Sequence, residues 1–77
     1  MRLEVVFFDP ICPVCKERAK DIVRNQEFLN VWVRSIEQPA LDKFWLFIDD
    51  GMGDLVRDDL EKELGDILDS NDFEFYR

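Results

Sequence analysis

Histidine is absent from this 77-residue sequence, and cysteine occurs only twice, at positions 12 and 15. Because a structural zinc ion takes four cysteine or histidine ligands, one chain cannot complete such a site alone. No apolar run approaches about 18 residues, and the N-terminus lacks the basic and apolar regions of a signal peptide. We therefore expect no membrane partner and a cytoplasmic location, where a lone CxxC pair is more often redox-active or metal-binding than structural.

Basic residues are scarce in the second half of the chain. Residues 1–39 hold six basic and six acidic residues, whereas residues 40–77 hold four basic and twelve acidic ones, so the C-terminal half carries the whole net charge of −8. This balance argues against a nucleic-acid partner, whose phosphates bind basic patches. The acidic excess is interpreted as a solubilising face, with a docking surface for a basic partner as the alternative.

The two cysteines lie where a predicted strand gives way to a predicted helix. Leu3–Phe8 is a short apolar run typical of a central strand, and Asp9-Pro10 ends it because proline offers no ladder donor. Pro13 suits the first position of a helix, which we expect to end near Asn25. Apolar residues then recur at the helical spacing i, i+4, i+7 and i+8, namely Cys15, Ala19, Ile22 and Val23.

The remaining segments predict a single α/β domain over residues 1–77. Strands are expected at Phe28–Ile36, Lys43–Ile48 and Leu55–Arg57, with a second helix from Asp58 and an aromatic tail folded over the core. Strand, helix and strand within about 34 residues indicate a βαβ unit with parallel strands. The 37–42 segment is too short for a crossover helix, so the third strand should run antiparallel to the first and the segment should pass near the cysteines.

These elements, in the order β-α-β-β-β-α, predict a four-stranded mixed sheet with strand order 2-1-3-4. The first strand should be central and both helices should pack against the sheet. Ligands and chemistry collect beyond the carboxyl ends of strands in α/β sheets, which is where Cys12 should lie.

The expected chemistry follows from the position of Cys12 at a helix N-terminus. Unpaired N–H groups and the helix dipole stabilise a thiolate there, so the pKa of Cys12 should fall below the free value of about 8.5. Cys15, one turn further on, should face the core. An exposed thiolate and a shielded resolving thiol are what thiol–disulfide exchange requires, which makes Cys12 the expected nucleophile and Cys15 the resolving residue.

The strand, the Cys12-Pro13-Val14-Cys15 motif and the following helix resemble the thioredoxin-like superfamily, and by size its glutaredoxin-like members. Asp9-Pro10-Ile11-Cys12-Pro13-Val14-Cys15 is also similar to the DxxCxxC start of the DCC thiol-disulfide oxidoreductases. The resemblance implies a minimal thioredoxin-like fold and an oxidoreductase without a bound cofactor. It implies a monomer that acts on protein or small-molecule disulfides, with Pro13 and Pro39 in the substrate-binding surface and Pro39 in the place of the family's cis-proline.

Two other functions stay open at this point. Cys12 and Cys15 could form half of a zinc site shared between two chains, as in a zinc-bridged homodimer without catalysis. A zinc knuckle, however, usually has glycine after its second cysteine, where Lys16 stands, and the helical spacing after Cys15 favours redox chemistry. The third possibility is a redox-inactive domain that binds partners through its acidic face.

Overall fold

The computed structural model describes residues 1–77, which form four strands and two helices. In chain order the elements are β1 (Arg2–Phe7), α1 (Pro13–Leu29), β2 (Val33–Ala40), β3 (Lys43–Ile48), α2 (Gly53–Gly65) and β4 (Phe73–Tyr76). The predicted third strand is confirmed at both ends. The other boundaries differ from the sequence-based expectation, and two of the differences change the topology.

The strands form one sheet in the order β2-β3-β1-β4, and every neighbouring pair is antiparallel. The predicted mixed sheet with order 2-1-3-4 is therefore wrong, and so is the minimal thioredoxin-like arrangement of which it was part. The observed β-α-β-β-α-β succession is the split βαβ arrangement. In it β1 and β2 point the same way, as predicted, but β3 lies between them. The predictions that β1 is central and antiparallel to β3 are confirmed.

The strand order follows from a hairpin in the 37–42 segment, where the sequence predicted no strand. β2 continues to Ala40, which lies opposite Lys43, so only Leu41 and Asp42 remain in the turn. Such a short turn makes β2 and β3 neighbours. Because β1 occupies the other edge of β3, no edge is left for a hairpin strand after Ile48.

Residues 55–57, predicted to be the fourth strand, lie instead in α2. Helical spacing brings Val56 onto the same face as Leu60 and Leu64, and all three side chains are fully buried. The helix begins at Gly53, so the predicted start at Asp58 is too late. The turn before α2 contains Gly51 at a φ of 85°, a conformation that glycine adopts without strain.

The aromatic tail forms the fourth strand. Residues 73–76 pair with β1, with Phe73 opposite Phe7 and Phe75 opposite Val5. Phe73 is buried and Phe75 packs against the core from a partly buried position. The tail therefore covers the core as predicted, but it does so as an edge strand of the sheet.

Both helices cover the same face of the sheet. Alternate residues of β1 and β3 are buried, among them Val5, Phe7 and Leu46, and they form one core with the apolar faces of α1 and α2. On the opposite face, the Trp45 indole donates a hydrogen bond to Glu4 and the Arg2 guanidinium lies 4.6 Å from the centre of the Trp45 ring. Neither helix has the length and apolar character that crossing a bilayer requires.

The first helix is longer than predicted and β2 begins later. α1 ends at Leu29 instead of near Asn25, and β2 starts at Val33 instead of Phe28. Residues 28–32 were expected in a strand with one buried side. They lie in the last helical turn and the following loop, where Phe28 and Val31 are more than 80% exposed.

Candidate functional site

Cys12 lies between β1 and α1, at the N-terminal end of the helix. Its backbone is extended, with φ −52° and ψ 127°, and its carbonyl accepts the first helical hydrogen bond from the N–H of Lys16 at 2.9 Å. Pro13 occupies the first helical position, where its missing N–H removes no intrahelical bond. The N-cap residue of α1 is therefore a cysteine, whose side chain is exposed.

The next two N–H groups of α1 set the acidity of Cys12. The N–H groups of Cys15 and Val14 face its sulfur without closing a regular capping hydrogen bond, and they hold the pKa of the Cys12 thiol below its ordinary value. Slight burial opposes this effect and the Cys15 thiol adds to it. The direction agrees with the prediction made from the helix terminus.

The two thiols are close and unequally exposed. Cys12 and Cys15 lie 4.2 Å apart, and both are free. Cys15 is half-buried and packs against the core, in line with Ala19 and Val23 on the inner face of α1. One thiol therefore faces solvent while its neighbour is partly shielded and within reach of it.

Four charged side chains hold the cysteine-bearing end of α1 against the sheet. Lys16 donates hydrogen bonds to Asp9 at 2.8 Å and to Asp42 at 2.7 Å. Lys20 Nζ lies 2.9 Å from Asp42 Oδ1 as an ion pair without hydrogen-bond geometry. The backbone carbonyl of Asp42 also accepts a hydrogen bond from the N–H of Phe7. These contacts confirm that the 37–42 segment passes beside the CxxC motif.

The charge cluster shifts two pKa values in opposite directions. Hydrogen bonds to Asp42 and Asp9 raise the pKa of Lys16 above its ordinary value. Partial burial by itself would raise the pKa of Asp42, but the contacts with Lys16 and Lys20 outweigh burial and lower it. Both pKa shifts favour the charged forms, so Lys16 and Asp42 are paired as ions at neutral pH.

The two prolines predicted at the substrate surface have different surroundings. Pro13 is adjacent to Cys12 and exposed. Pro39 is exposed near the end of β2, beside a register irregularity between Glu37 and Ala40, and its peptide bond is trans. The cis bond of the chain joins Asp9 to Pro10. It is Asp42 in the following turn, and not Pro39, that connects this part of the sheet with the cysteine-bearing helix.

Within one chain, Cys12 and Cys15 are the residues suited to hold a soft metal ion. No group of three or more histidine, cysteine, aspartate or glutamate side chains is arranged to bind a metal. A zinc site with four ligands would therefore need the same pair from a second chain.

Sequence reasoning missed the buried Lys20 and the role of Asp42. Lys20 is not part of the predicted apolar stripe of α1, yet its side chain is only 4% exposed because it lies under the β2–β3 turn. Its spacing from Lys16, one helical turn, was the available signal that both could reach one carboxylate. Asp42 could not be identified as that carboxylate without knowing that β2 and β3 form a hairpin.

The chain matches no protein-family model, no curated protein and no solved structure. Function is therefore inferred from the side chains of the site and their geometry.

The lowered pKa of Cys12 predicts selective alkylation. At pH 7, iodoacetamide should modify Cys12 before Cys15, because only the thiolate reacts and Cys12 is the more exposed thiol. The rate of Cys12 alkylation plotted against pH should have its midpoint below about 8.5. Unfolding in urea should raise this midpoint to about 8.5, the value of a free cysteine. Peptide mass spectrometry distinguishes the two cysteines. Equal rates in the folded protein would contradict the role of the helix N-terminus.

Proposed function

We propose that the protein is a dithiol oxidoreductase that exchanges disulfides through Cys12 and Cys15. The observation that supports this most directly is the exposed Cys12 thiol with a lowered pKa, 4.2 Å from a partly buried second thiol. The proposal places the protein in the cytoplasm, where a reactive CxxC pair is kept reduced between turnovers. A disulfide in a protein or a small molecule is the substrate class.

The reaction moves two electrons and two protons. The Cys12 thiolate attacks one sulfur of the substrate disulfide; that bond breaks, and the departing sulfur leaves as a thiolate that takes a proton from solvent. Cys15 then loses its proton and attacks the Cys12 sulfur of the mixed disulfide. The Cys12–Cys15 disulfide forms, the second substrate sulfur leaves and is protonated, and the substrate has been reduced to a dithiol or two thiols.

The charge cluster has a supporting role in this scheme. By joining Asp9, Lys16 and Asp42 it fixes the segment that enters the motif, the helix after it and the adjacent hairpin turn relative to one another. A fixed N-terminal turn keeps the N–H groups of Val14 and Cys15 aimed at the Cys12 sulfur. Pre-organised dipoles of this kind stabilise charge without reorganisation when the thiolate forms.

The redox potential of the pair tests the proposal. We expect a value between about −270 and −180 mV, the range from thioredoxin through the glutaredoxins to protein disulfide isomerase. It would be measured by equilibration in dithiothreitol buffers, with the two-dalton mass loss as the readout of oxidation. A potential below about −300 mV would identify a structural disulfide and remove the basis for catalysis.

The zinc-bridged homodimer is the alternative that the same residues allow. Metal analysis and native mass of the purified protein distinguish the two. One zinc ion per two chains, lost together with the dimer in Cys12→Ser, would replace the redox proposal. A metal-free monomer that cycles between the dithiol and the disulfide supports it.

A further inference from the structure

The end of α1 remote from the cysteines carries an exposed apolar patch. It consists of four side chains within five consecutive residues: Phe28 is 83% exposed, Leu29 75%, Val31 82% and Trp32 38%. The 28–32 patch begins 16 residues after Cys12, about 24 Å further along α1, so it is not part of the thiol site. Clusters of exposed apolar side chains mark interaction surfaces more often than isolated ones do.

The patch lies on a well-defined turn. The side-chain oxygen of Asn30 accepts a hydrogen bond from the N–H of Trp32 at 3.0 Å. The backbone carbonyl of Asn30 accepts one from the N–H of Val33 at 3.1 Å. The Trp32 carbonyl in turn accepts the N–H of Asp49 at 3.0 Å, which joins the loop to the end of β3. Because the backbone is fixed on both sides, a partner would meet a pre-organised surface and would lose little free energy in ordering it.

The surroundings of the 28–32 patch are acidic. Leu29 and Asn30 line one shallow depression together with residues of α2 and its C-terminal cap, namely Asp59, Lys62, Glu63 and Asp66. On the other side, beyond β3, Asp49 is paired with Arg34, and the fully exposed Asp50 lies 3.5 Å from the N-terminal amino group of Met1. The depression beside the patch thus brings three carboxylates together with a single lysine that makes no ion pair.

The end of the helix adds to this negative potential. The last turn of α1 contains no basic residue, so the partial negative charge of its free carbonyl groups is not offset by a side chain. An apolar centre with a negative rim is complementary to a segment that carries apolar and cationic side chains on one helical face.

We propose that the 28–32 patch docks a cationic amphipathic helix of a partner protein. Phe28 and Val31 supply the apolar contact, and Asp59 and Asp66 bind the partner's lysine or arginine side chains. This binding activity is independent of the thiol chemistry. It assigns to the acidic half of the chain a role as part of a docking surface.

The test uses a fluorescein-labelled synthetic peptide of leucine and lysine, with the leucines at i, i+3, i+4 and i+7. Fluorescence anisotropy should show binding that weakens as salt is added, because charge complementarity contributes to it. The double variant Phe28→Ser/Val31→Ser should bind about tenfold more weakly or worse. Asp59→Asn/Asp66→Asn should also weaken binding. Leu55→Ser, at a half-exposed position elsewhere on α2, is the matched control and should bind as the unaltered protein does.

A second readout comes from Trp32. In a Trp45→Phe background it is the sole tryptophan, and its emission should shift to shorter wavelength when the lysine peptide binds. The same peptide with glutamate in place of lysine should give neither signal. Circular dichroism checks that each variant is folded.

Three results would overturn the proposal. The first is equal binding of the lysine peptide to Phe28→Ser/Val31→Ser and to the unaltered protein. The second is a concentration-dependent dimer that this variant dissociates, which would make a second copy the occupant. The third is a Trp32 shift with neutral phosphatidylcholine vesicles, which would make a lipid surface the occupant.

Discussion

In the proposed reaction, Cys15→Ser should form the mixed disulfide and stop there, without turnover. The backbone N–H groups of residues 14 and 15 still lower the pKa of Cys12, which attacks the substrate, but no second thiol is present to release it. Incubation with a model protein disulfide should give a covalent adduct that is stable on a non-reducing gel and disappears with dithiothreitol. Steady-state reduction of that substrate should fall to the uncatalysed rate.

Cys12→Ser is the matched variant and should form no adduct. Because Cys15 is half-buried and Cys12 is exposed, attack by Cys15 should be slow. Both serine variants should have the stability of the reduced protein, since neither thiol is in a disulfide in the folded structure. An active Cys12→Ser protein, or an adduct that forms equally in both variants, would show that Cys12 is not the nucleophile.

Asp42→Asn should destabilise the protein more than any other single change in the charge cluster. It leaves the ammonium of Lys20 buried without its carboxylate and removes one of the two partners of Lys16. Removing one member of a fully buried pair costs about 3–5 kcal/mol. The Asp42 side chain is 24% exposed, so solvent screening reduces the expected loss to about 1–3 kcal/mol. Urea unfolding at pH 7 measures it.

Lys20→Met is the control for this experiment. Methionine preserves most of the buried apolar stem and removes the buried charge, while Asp42 keeps Lys16 as its partner. The free energy of unfolding should change by less than about 1 kcal/mol, since replacing a buried charge with an apolar side chain is often neutral. Equal losses in Asp42→Asn and Lys20→Met would show that the pair contributes symmetrically, contrary to this account.

The pH dependence of the Asp42→Asn effect has a defined sign. The pKa of Asp42 is lowered in the folded protein, so its stabilising contribution is complete above the unfolded value of about 3.9 and is lost as pH falls through the folded value. The stability difference between the unaltered protein and Asp42→Asn should therefore be constant from about pH 5 to 8. It should shrink below about pH 4, and a difference that grew there would contradict the lowered pKa.

Local sequence patterns determined the site but not the sheet. The apolar run before Asp9-Pro10, the proline at the first helical position and the spacing from Cys15 to Val23 each depend on residues close together in the chain. They sufficed to place Cys12 at a helix N-terminus and Cys15 towards the core. The same kind of pattern predicted β3 from Lys43 to Ile48 with both ends correct.

The strand order depended on which segments became strands, and two short segments were ambiguous. Leu55–Arg57 is apolar enough for a strand, but Val56 belongs to the buried stripe of α2 once Leu60 and Leu64 pack on the sheet. The 37–42 segment contains a proline and was not predicted to be a strand, yet proline is tolerated in an edge strand. Assigning both differently gives β3 a different neighbour, and the whole order changes from 2-1-3-4 to 2-3-1-4.

Only the tertiary structure decided which charged residues meet at the cysteines. Asp42 is 26 residues from Lys16 in the chain, and it reaches α1 because the β2–β3 hairpin turn lies at the end of β1 where the helix starts. The burial of Lys20 and the exposure of Phe28 and Val31 were likewise contrary to their sequence patterns. The burial or exposure of these side chains depends on how far α1 extends and on what packs over it. Long-range packing of this kind overrides local periodicity.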